Sequence, residues 1–220
     1  MYRTYFCCLL LLLVVLAGLG QSNTRRELRA DTGKLYLRFS PLGIIDLFDG
    51  NITLGSEYRF NDTWAATLDA GAILYSAFRG LNKRTTGFLL RPGIRVYPTR
   101  WKDFFIDLQF HYKNVTYQVK DWLEKEVVAN VASYEEYKVF RLKKRVIGGN
   151  ISAGVRGYFT NNRRFYIEGY LGVGIHYKEE GIHKEPNSRY DRGLRIFNDQ
   201  DGKYVLPAVP AGVRIIYLLR

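Results

Sequence analysis

The sequence is poor in cysteine, methionine and histidine, and it lacks an amphipathic helical segment. Only two cysteines, one methionine and three histidines occur among 220 residues. Both cysteines, Cys7 and Cys8, lie within the first twenty residues. A small domain held together by disulfides is therefore excluded for the rest of the chain. No stretch repeats apolar residues at the spacing of three to four that an amphipathic helix needs, which argues against a helical enzyme.

The first twenty residues have the layout of a cleaved export signal. Arg3 precedes an apolar run from Phe6 to Leu19, and the run finishes on the small residues Gly18 and Gly20. A membrane anchor is the alternative, but the run is shorter than the roughly 20 residues that a spanning helix requires. We predict a signal peptide over residues 1–20 with cleavage near Gly20.

Aromatic residues and period-two alternation are abundant in the remainder. The 17 tyrosines and 13 phenylalanines favour β-strands, because aromatic side chains fit a pleated surface. Over residues 104–113, for example, every second residue is apolar, and the residues between them include Asp107, Gln109 and His111. Such alternation is typical of a strand with one apolar and one polar face. We predict eight strands, near residues 34–45, 50–61, 63–76, 85–97, 102–119, 138–159, 164–178 and 203–219.

The connections between these strands alternate in length. The tight turns FNDT, PTRWK and TNNR alternate with longer segments, of which the longest are loops around 120–138 and 179–203. This arrangement predicts an all-β fold, an eight-stranded antiparallel up-and-down transmembrane β-barrel over residues 34–220 that follows a periplasmic segment over 21–33. Aromatic residues concentrate near the tight turns, and we expect them at a membrane interface. They are Tyr58, Phe60, Trp64, Tyr97, Trp101, Phe104, Tyr158, Phe159 and Phe165.

The composition of the two strand faces indicates which face lies outside. The polar face carries many ionic side chains together with most strand glycines, as the narrow interior of an eight-stranded barrel requires. The apolar face is almost free of charge over the length that a tilted strand needs to cross a bilayer. We therefore predict that Leu90, Ile106 and Val173 point toward lipid. A soluble lipocalin-like carrier, with the two faces reversed, is the alternative.

The opening segment KLYLRFSPLGIIDLFDGNITLGSEYRF has a proline-glycine break in its first strand and a second strand that ends Glu-Tyr-Arg, and a Trp-bearing strand follows. In these features it resembles the small outer-membrane β-barrels of unknown function that are common in Bacteroides-type bacteria, relatives in architecture of OmpA-type and OmpX-type barrels. The resemblance implies the bacterial outer membrane as the location and says almost nothing about activity. The chain departs from the usual aromatic end of such barrels, since it finishes Tyr217, Leu218, Leu219, Arg220.

The ionic residues of the inner face are predicted to pair with one another in a single layer across the lumen. An isolated buried charge would be very costly, and pairing offsets that cost. We interpret this layer as a structural plug, with a gate or a proton path as the alternative. Arg95 shares the inner face but is not assigned to the layer. The predicted layer consists of Arg38, Glu57, Arg59, Asp69, Arg91, Asp107, Arg156, Glu168 and Arg214.

The sequence offers no catalytic constellation, no metal site and no cofactor site. A lipid-trimming barrel needs a histidine close to a serine, and no His-x-Ser occurs around His111 or His176. Both histidines occupy the same alternate strand positions as the ionic residues, so we predict that they face the lumen. We therefore predict a non-enzymatic protein with a structural or interaction role through its extracellular loops. A lipid-modifying outer-membrane enzyme and a subunit of an envelope complex are the alternatives.

The expected partners are outer-membrane lipid, lipopolysaccharide and other envelope proteins. The net charge of +12 is spread over loops and lumen, so nucleic acid is not expected. Basic residues at the outer rim are predicted to contact lipopolysaccharide phosphates, because guanidinium and ammonium groups bind phosphate. A solvated rim that favours solubility is the alternative. The candidate contacts are Lys83, Arg84, Lys143, Lys144, Arg145, Arg189, Arg192 and Arg195.

Overall fold

The structure is a computed structural model that describes residues 33–45, 49–76, 82–98, 103–129, 131–158, 164–183, 185–190 and 202–219. The predicted signal peptide and all but the last residue of the segment 21–33 lie outside these ranges. Within them, no helix is long and apolar enough to cross a bilayer.

Nine strands and one short 3-10 helix make up the regular structure of the described chain. The 3-10 helix, Pro41–Ile45, replaces the end of the predicted first strand, because Pro41 has no N–H for a sheet ladder. The strands are β1 Leu35–Ser40, β2 Gly50–Arg59, β3 Trp64–Tyr75, β4 Asn82–Val96, β5 Phe104–Lys125, β6 Tyr134–Tyr158, β7 Phe165–Ile182, β8 Lys203–Ala208 and β9 Ala211–Leu218.

The strands form one antiparallel sheet that closes on itself. Strands β1 to β7 pair in chain order, and β9 pairs with both β7 and β1. Because β8 and β9 both pair with β7, they occupy a single position, and the ring has eight positions. The interruption between them falls at Val209 and Pro210, where the proline carbonyl accepts a hydrogen bond from Gly172 N at 2.8 Å. The predicted eight-stranded, antiparallel, up-and-down closed sheet is confirmed.

One hairpin rises well beyond its neighbours. Strand β5 continues to Lys125 and β6 begins at Tyr134, whereas β4 pairs with β5 only as far as Val119. The predicted loop over 120–138 is therefore wrong for most of its length. Alternation continues into the hairpin, with Asp121 and Leu123 buried on its inner side. At this end of the barrel, which we call the loop end, β7 also runs further than predicted, to Ile182.

The two faces of the strands have the predicted orientation. Leu90, Ile106 and Val173 are 39%, 38% and 67% exposed, whereas Arg95 and Glu168 on the opposite face have no exposure. A turn at the other end of the barrel, the tight-turn end, is fixed by Asn61, whose Oδ1 accepts hydrogen bonds from the N–H of Thr63 and Trp64. The apolar side chains thus cover the outside, and the ionic side chains fill the lumen.

Buried apolar groups lie on both sides of the ionic middle of the lumen. Toward the tight-turn end, Tyr36, Tyr166 and Ile216 are buried together. Toward the loop end, a second group fills the space between β3, β5 and β6, and we call it the apolar cap. The apolar cap consists of Ile73, Val115, Tyr117, Val119, Leu123, Phe140 and Leu142.

Candidate functional site in the lumen

Arg95 is the centre of the ionic network. Strand pairing sets Arg95 of β4 opposite Asp107 of β5. Its Nε and Nη2 donate to the two carboxylate oxygens of Asp107 at 2.6 Å and 2.8 Å. Such a bidentate arginine–carboxylate contact is among the stronger hydrogen-bonded pairs in proteins. The remaining nitrogen, Nη1, does not contact Asp107 and points across the lumen.

That nitrogen connects Arg95 to two further strands. Nη1 lies 2.9 Å from Oε2 of Glu57 on β2 and 2.7 Å from Oε1 of Glu168 on β7. One guanidinium therefore joins acids from three different strands. Parity of the sequence placed Arg95 on the inner face, but parity gives no height along the barrel axis, and so Arg95 was missed as a member of the layer.

Arg156 and Tyr97 extend the network. Arg156 faces Glu168 across the β6–β7 ladder and donates to its Oε1 from Nη2 at 2.6 Å. The same Nη2 lies 2.8 Å from the hydroxyl oxygen of Tyr97, and that hydroxyl donates to Glu57. Tyr97 was predicted at the membrane interface, and this was wrong, because the side chain is buried in the lumen. Its parity with Arg95 is the signal that could have shown this.

Three more arginines complete the layer. Arg59 Nε donates to Glu57 Oε1 at 3.3 Å. Arg214 Nη1 donates to Asp107 Oδ2 at 2.9 Å, and Arg38 Nη2 donates to Asp69 Oδ2 at 3.3 Å. Arg38 also lies 3.8 Å from Asp107, which links the two pairs. Eight of the nine predicted residues are thereby brought together. The members are Arg38, Glu57, Arg59, Asp69, Arg95, Tyr97, Asp107, Arg156, Glu168 and Arg214, and we call this set the ionic layer.

Arg91 is the predicted member that the structure does not bring into the ionic layer. Across the described part of the chain it pairs with no carboxylate. Its charge instead lies near His111 and His176. The inward parity of Arg91 did not fix its level relative to the acids of the other strands.

Aromatic rings cover the arginines of the ionic layer. The guanidinium carbons of Arg59, Arg95 and Arg214 each lie 3.8 Å from a ring centroid. The three rings belong to Tyr97, Phe105 and Tyr170, respectively. Such stacking fills space beside a planar cation and stabilises the cation when water is removed. The middle of the lumen is therefore packed with side chains at this level.

The two lumen histidines stack on each other. The rings of His111 and His176 have centroids 4.6 Å apart and an interplanar angle of 21°. Nε2 of His176 lies 2.9 Å from Oδ1 of Asn150. Among the described contacts neither ring bonds to a serine, a cysteine or a carboxylate. In the described ranges, no cluster of three or more His, Cys, Asp or Glu side chains could hold a metal ion.

A second buried ionic cluster lies nearer the loop end. Asp49 accepts a hydrogen bond from the Tyr117 hydroxyl at 2.6 Å and lies 2.6 Å from Lys113 Nζ and 2.7 Å from Lys144 Nζ. Lys144 was predicted at the outer rim, and its inward position corrects that prediction. Asp49 lies in the short connection just before β2, outside the alternating strand positions that predict lumen residues.

The other predicted rim residues divide into two groups. Arg189 donates from Nε to Glu124 of the tall hairpin at 2.6 Å, so its charge is paired with a hairpin carboxylate. Arg84, Lys143 and Arg145 are exposed on the outer face. The side chain of Lys83, and all of Arg192 and Arg195, lie outside the described residues.

Residues 185–190, which we call the cap segment, lie against the tall hairpin. The backbones of Glu124 and Arg189 exchange hydrogen bonds at 3.1 Å and 3.0 Å. The Tyr190 hydroxyl donates to Asp121 at 2.8 Å. Tyr190 also packs against the apolar cap, with its ring centroid 5.0 Å from that of Phe140. The cap segment therefore lies over the apolar cap.

The aromatic residues predicted at the interface take two positions. Tyr58, Phe60, Trp64 and Phe165 are exposed on the outer face. Tyr158 turns inward with its ring centroid 5.1 Å from that of Tyr166. Phe104 is half-buried, and Trp101 and Phe159 lie outside the described residues.

The fold and the site together define a closed eight-position antiparallel barrel with an ionic interior. Comparison with protein-family models, with curated proteins and with solved structures found no match to this chain. The resemblance to the small barrels of Bacteroides-type bacteria therefore stays a prediction.

Proposed function

We propose that the protein is an integral β-barrel of the bacterial outer membrane with a closed lumen. In this proposal it is not an enzyme, and it serves a structural or interaction role through the loop end. The observation that carries the proposal is the reversal of faces, in which apolar side chains lie outside and the ionic layer lies within.

The apolar outer belt has the height that a bilayer requires. On β5 the outward residues are apolar from Phe104 to Tyr112, and the next outward residue, Asn114, is polar. At about 3.4 Å per residue and a tilt of about 40°, this stretch rises roughly 20 Å, comparable with the apolar band of about 25 Å on membrane barrels. In water, a belt of this extent would be an unusually large exposed apolar surface. This supports insertion and disfavours the soluble carrier.

The contents of the lumen support a closed barrel. The ionic layer, the Asp49 cluster and the apolar cap follow one another along the axis, and Glu57, Asp107 and Glu168 have no exposure. An eight-stranded barrel leaves barely more room than its own side chains occupy. A structural plug is therefore the better interpretation than a gate.

The loop end supports an interaction role, alone or as part of an envelope complex. The outer face of the tall hairpin exposes Trp122 and Tyr137, whose ring centroids are 5.3 Å apart. Val128 and Val131 are exposed at its tip. Large aromatic and apolar side chains on a rigid projection are typical of protein contact surfaces.

Cell fractionation and heat-modifiable gel migration test the proposal. The full chain should enter the outer-membrane fraction, require detergent for extraction, and migrate differently before and after boiling. Planar bilayers that contain the purified protein should carry no stepwise current. Recovery in a detergent-free soluble fraction would refute membrane insertion, and single-channel steps from the unaltered protein would refute the closed lumen.

A further inference from the structure

We propose that the outer face of β4, β5 and β6 binds the phosphates of a lipopolysaccharide, and that one acyl chain of the same lipid occupies an adjoining groove on β2, β3 and β4. This inference rests on the proposed function, since it places the barrel in an outer membrane.

Four cations lie close together on this face near the loop end. The sheet register aligns Arg84 of β4, Gln118 of β5 and Arg141 of β6. Because neighbouring strands are about 4.8 Å apart, the backbones of the two arginines are roughly 10 Å apart. Lys143 and Arg145 follow Arg141 at alternate positions of β6, on the same exposed face. We call these four residues the basic row.

Few acidic side chains surround the basic row on the outer face. Around it, the described outward positions of β4, β5 and β6 hold no acidic side chain. The intervening residues of β5, Asn114, Thr116 and Gln118, are polar and uncharged. The first acid is Glu179 on β7, which lies 3.9 Å from Arg145. Such a cluster of arginines and lysines attracts phosphate groups and can hold them by charge-assisted hydrogen bonds.

The basic row lies at the border of the apolar belt. On β6 the outward residues below it are Ile147, Gly149 and Ile151, and Arg145 comes next toward the loop end. Lipid phosphates lie at this border, directly above the acyl chains. In this proposal the anion bound at the basic row is therefore a lipid headgroup, and its acyl chains lie against the apolar belt.

A groove on the neighbouring strands provides the place for an acyl chain. Its volume is about 500 Å³, and its floor includes Ala70 and Ala72 of β3 between larger side chains. Phe88 of β4 lines the groove four residues from Arg84, which is about 13 Å along the strand. The groove thus lies below Arg84, in the half of the belt nearer the loop end. Its larger walls are Ile52, Leu54, Leu74, Phe88 and Leu90.

The test compares two double variants of the full-length protein in detergent. R141Q/K143Q removes two charges of the basic row, and K34Q/R164Q removes two charges near the tight-turn end. The probes are lipid A with both phosphates, lipid A without phosphates, and phosphatidylglycerol, and binding is measured by native mass spectrometry. A72L, which fills the groove without changing charge, tests the acyl-chain site.

R141Q/K143Q should weaken binding of phosphorylated lipid A by at least about tenfold, because each lost charge-assisted contact is worth about that factor. K34Q/R164Q should bind like the unaltered protein, and A72L should weaken both forms of lipid A. Equal losses in the two double variants, or equal binding of phosphatidylglycerol, would overturn the inference. Heat-modifiable migration measured on the same samples distinguishes this failure from failure of the barrel to insert.

Discussion

Arg95 and Glu168 meet inside the lumen, with Nη1 of Arg95 2.7 Å from Oε1 of Glu168, although two strands separate β4 from β7 in the ring. Hydrogen bonds of the ladder join only adjacent strands. The Arg95–Glu168 contact instead links β4 to β7, which share no ladder hydrogen bonds. The ionic layer therefore joins strands that are not neighbours in the sheet.

Removal of this brace should destabilise the barrel. In Glu168→Gln, Arg95 and Arg156 lose a shared carboxylate while they remain buried, and breaking such a buried pair costs about 3–5 kcal/mol. The temperature at which the folded gel band converts to the unfolded one should fall. Glu179→Gln is the matched control, because Glu179 lies on the same strand and its side chain is 41% exposed. Equal conversion temperatures for the two variants would contradict a bracing role.

Loss of an acid from the ionic layer should not open the barrel. In Glu57→Ala and Glu168→Ala the apolar cap still fills the lumen above the vacated space. Planar-bilayer recordings of both variants should therefore remain without stepwise current. Stepwise currents from either variant, absent from the unaltered protein, would mean that the ionic layer alone blocks the lumen.

Face and fold could be predicted from the sequence because both follow from local geometry. Successive side chains of a strand point to opposite sides, so alternation at Leu90 or Ile106 identifies the outer face without knowledge of the partner strands. The same rule places Glu57 and Asp107 inside. Even Tyr97 and Lys144 obey it, since each shares the parity of a lumen residue two positions away.

Height along the axis could not be predicted in this way. The level of a residue depends on the stagger between strands, which is a property of the closed sheet and not of one segment. Arg91 faces inward as expected, yet it lies beside His111, while Arg95, four residues further along β4, contacts three acids. Residues on separate strands can therefore be assigned to one face, but not to one contact, from sequence alone.

The tall hairpin was missed for a different reason. Its inner face includes Asp121, whose carboxylate is bound by Tyr190 from the distant cap segment. Because the inner face of the hairpin is partly polar, the sequence there no longer alternates between apolar and polar residues. The hydrogen-bonded ladder between β5 and β6 nevertheless continues. The partner that satisfies Asp121 is 69 residues away in sequence, and no local pattern reveals it.

The cap segment should loosen in acid. Hydrogen bonds from Lys125 and Lys138 hold the pKa of Glu185 below its ordinary value. A carboxyl with a lowered pKa stabilises the folded arrangement above the ordinary value of about 4.3, and this contribution is lost as the pH falls through the lowered pKa. A spin label at Ser188→Cys should therefore gain mobility as the pH falls below the ordinary pKa of a glutamate. With Glu185→Gln added, the label should lose this pH step; persistence of the step would assign it to another group.

Close packing of the lumen predicts opposite responses from two glycines of β6. A Cβ at Gly154 would overlap the ring of Phe105 and lie 2.5 Å from the carbonyl oxygen of Gly169, whereas a Cβ at Gly149 would meet nothing within 4 Å. Phe105 also stacks on Arg95, so a displaced ring would disturb the ionic layer. Gly154→Ala should cost about 1–3 kcal/mol of folding free energy, as overpacking does, and urea unfolding in detergent measures this. Gly149→Ala, the control on the same strand, should unfold at the urea concentration of the unaltered protein or above it. If Gly154→Ala is equally stable, the lumen holds more free space than its contacts indicate, and the closed-barrel proposal would have to be abandoned.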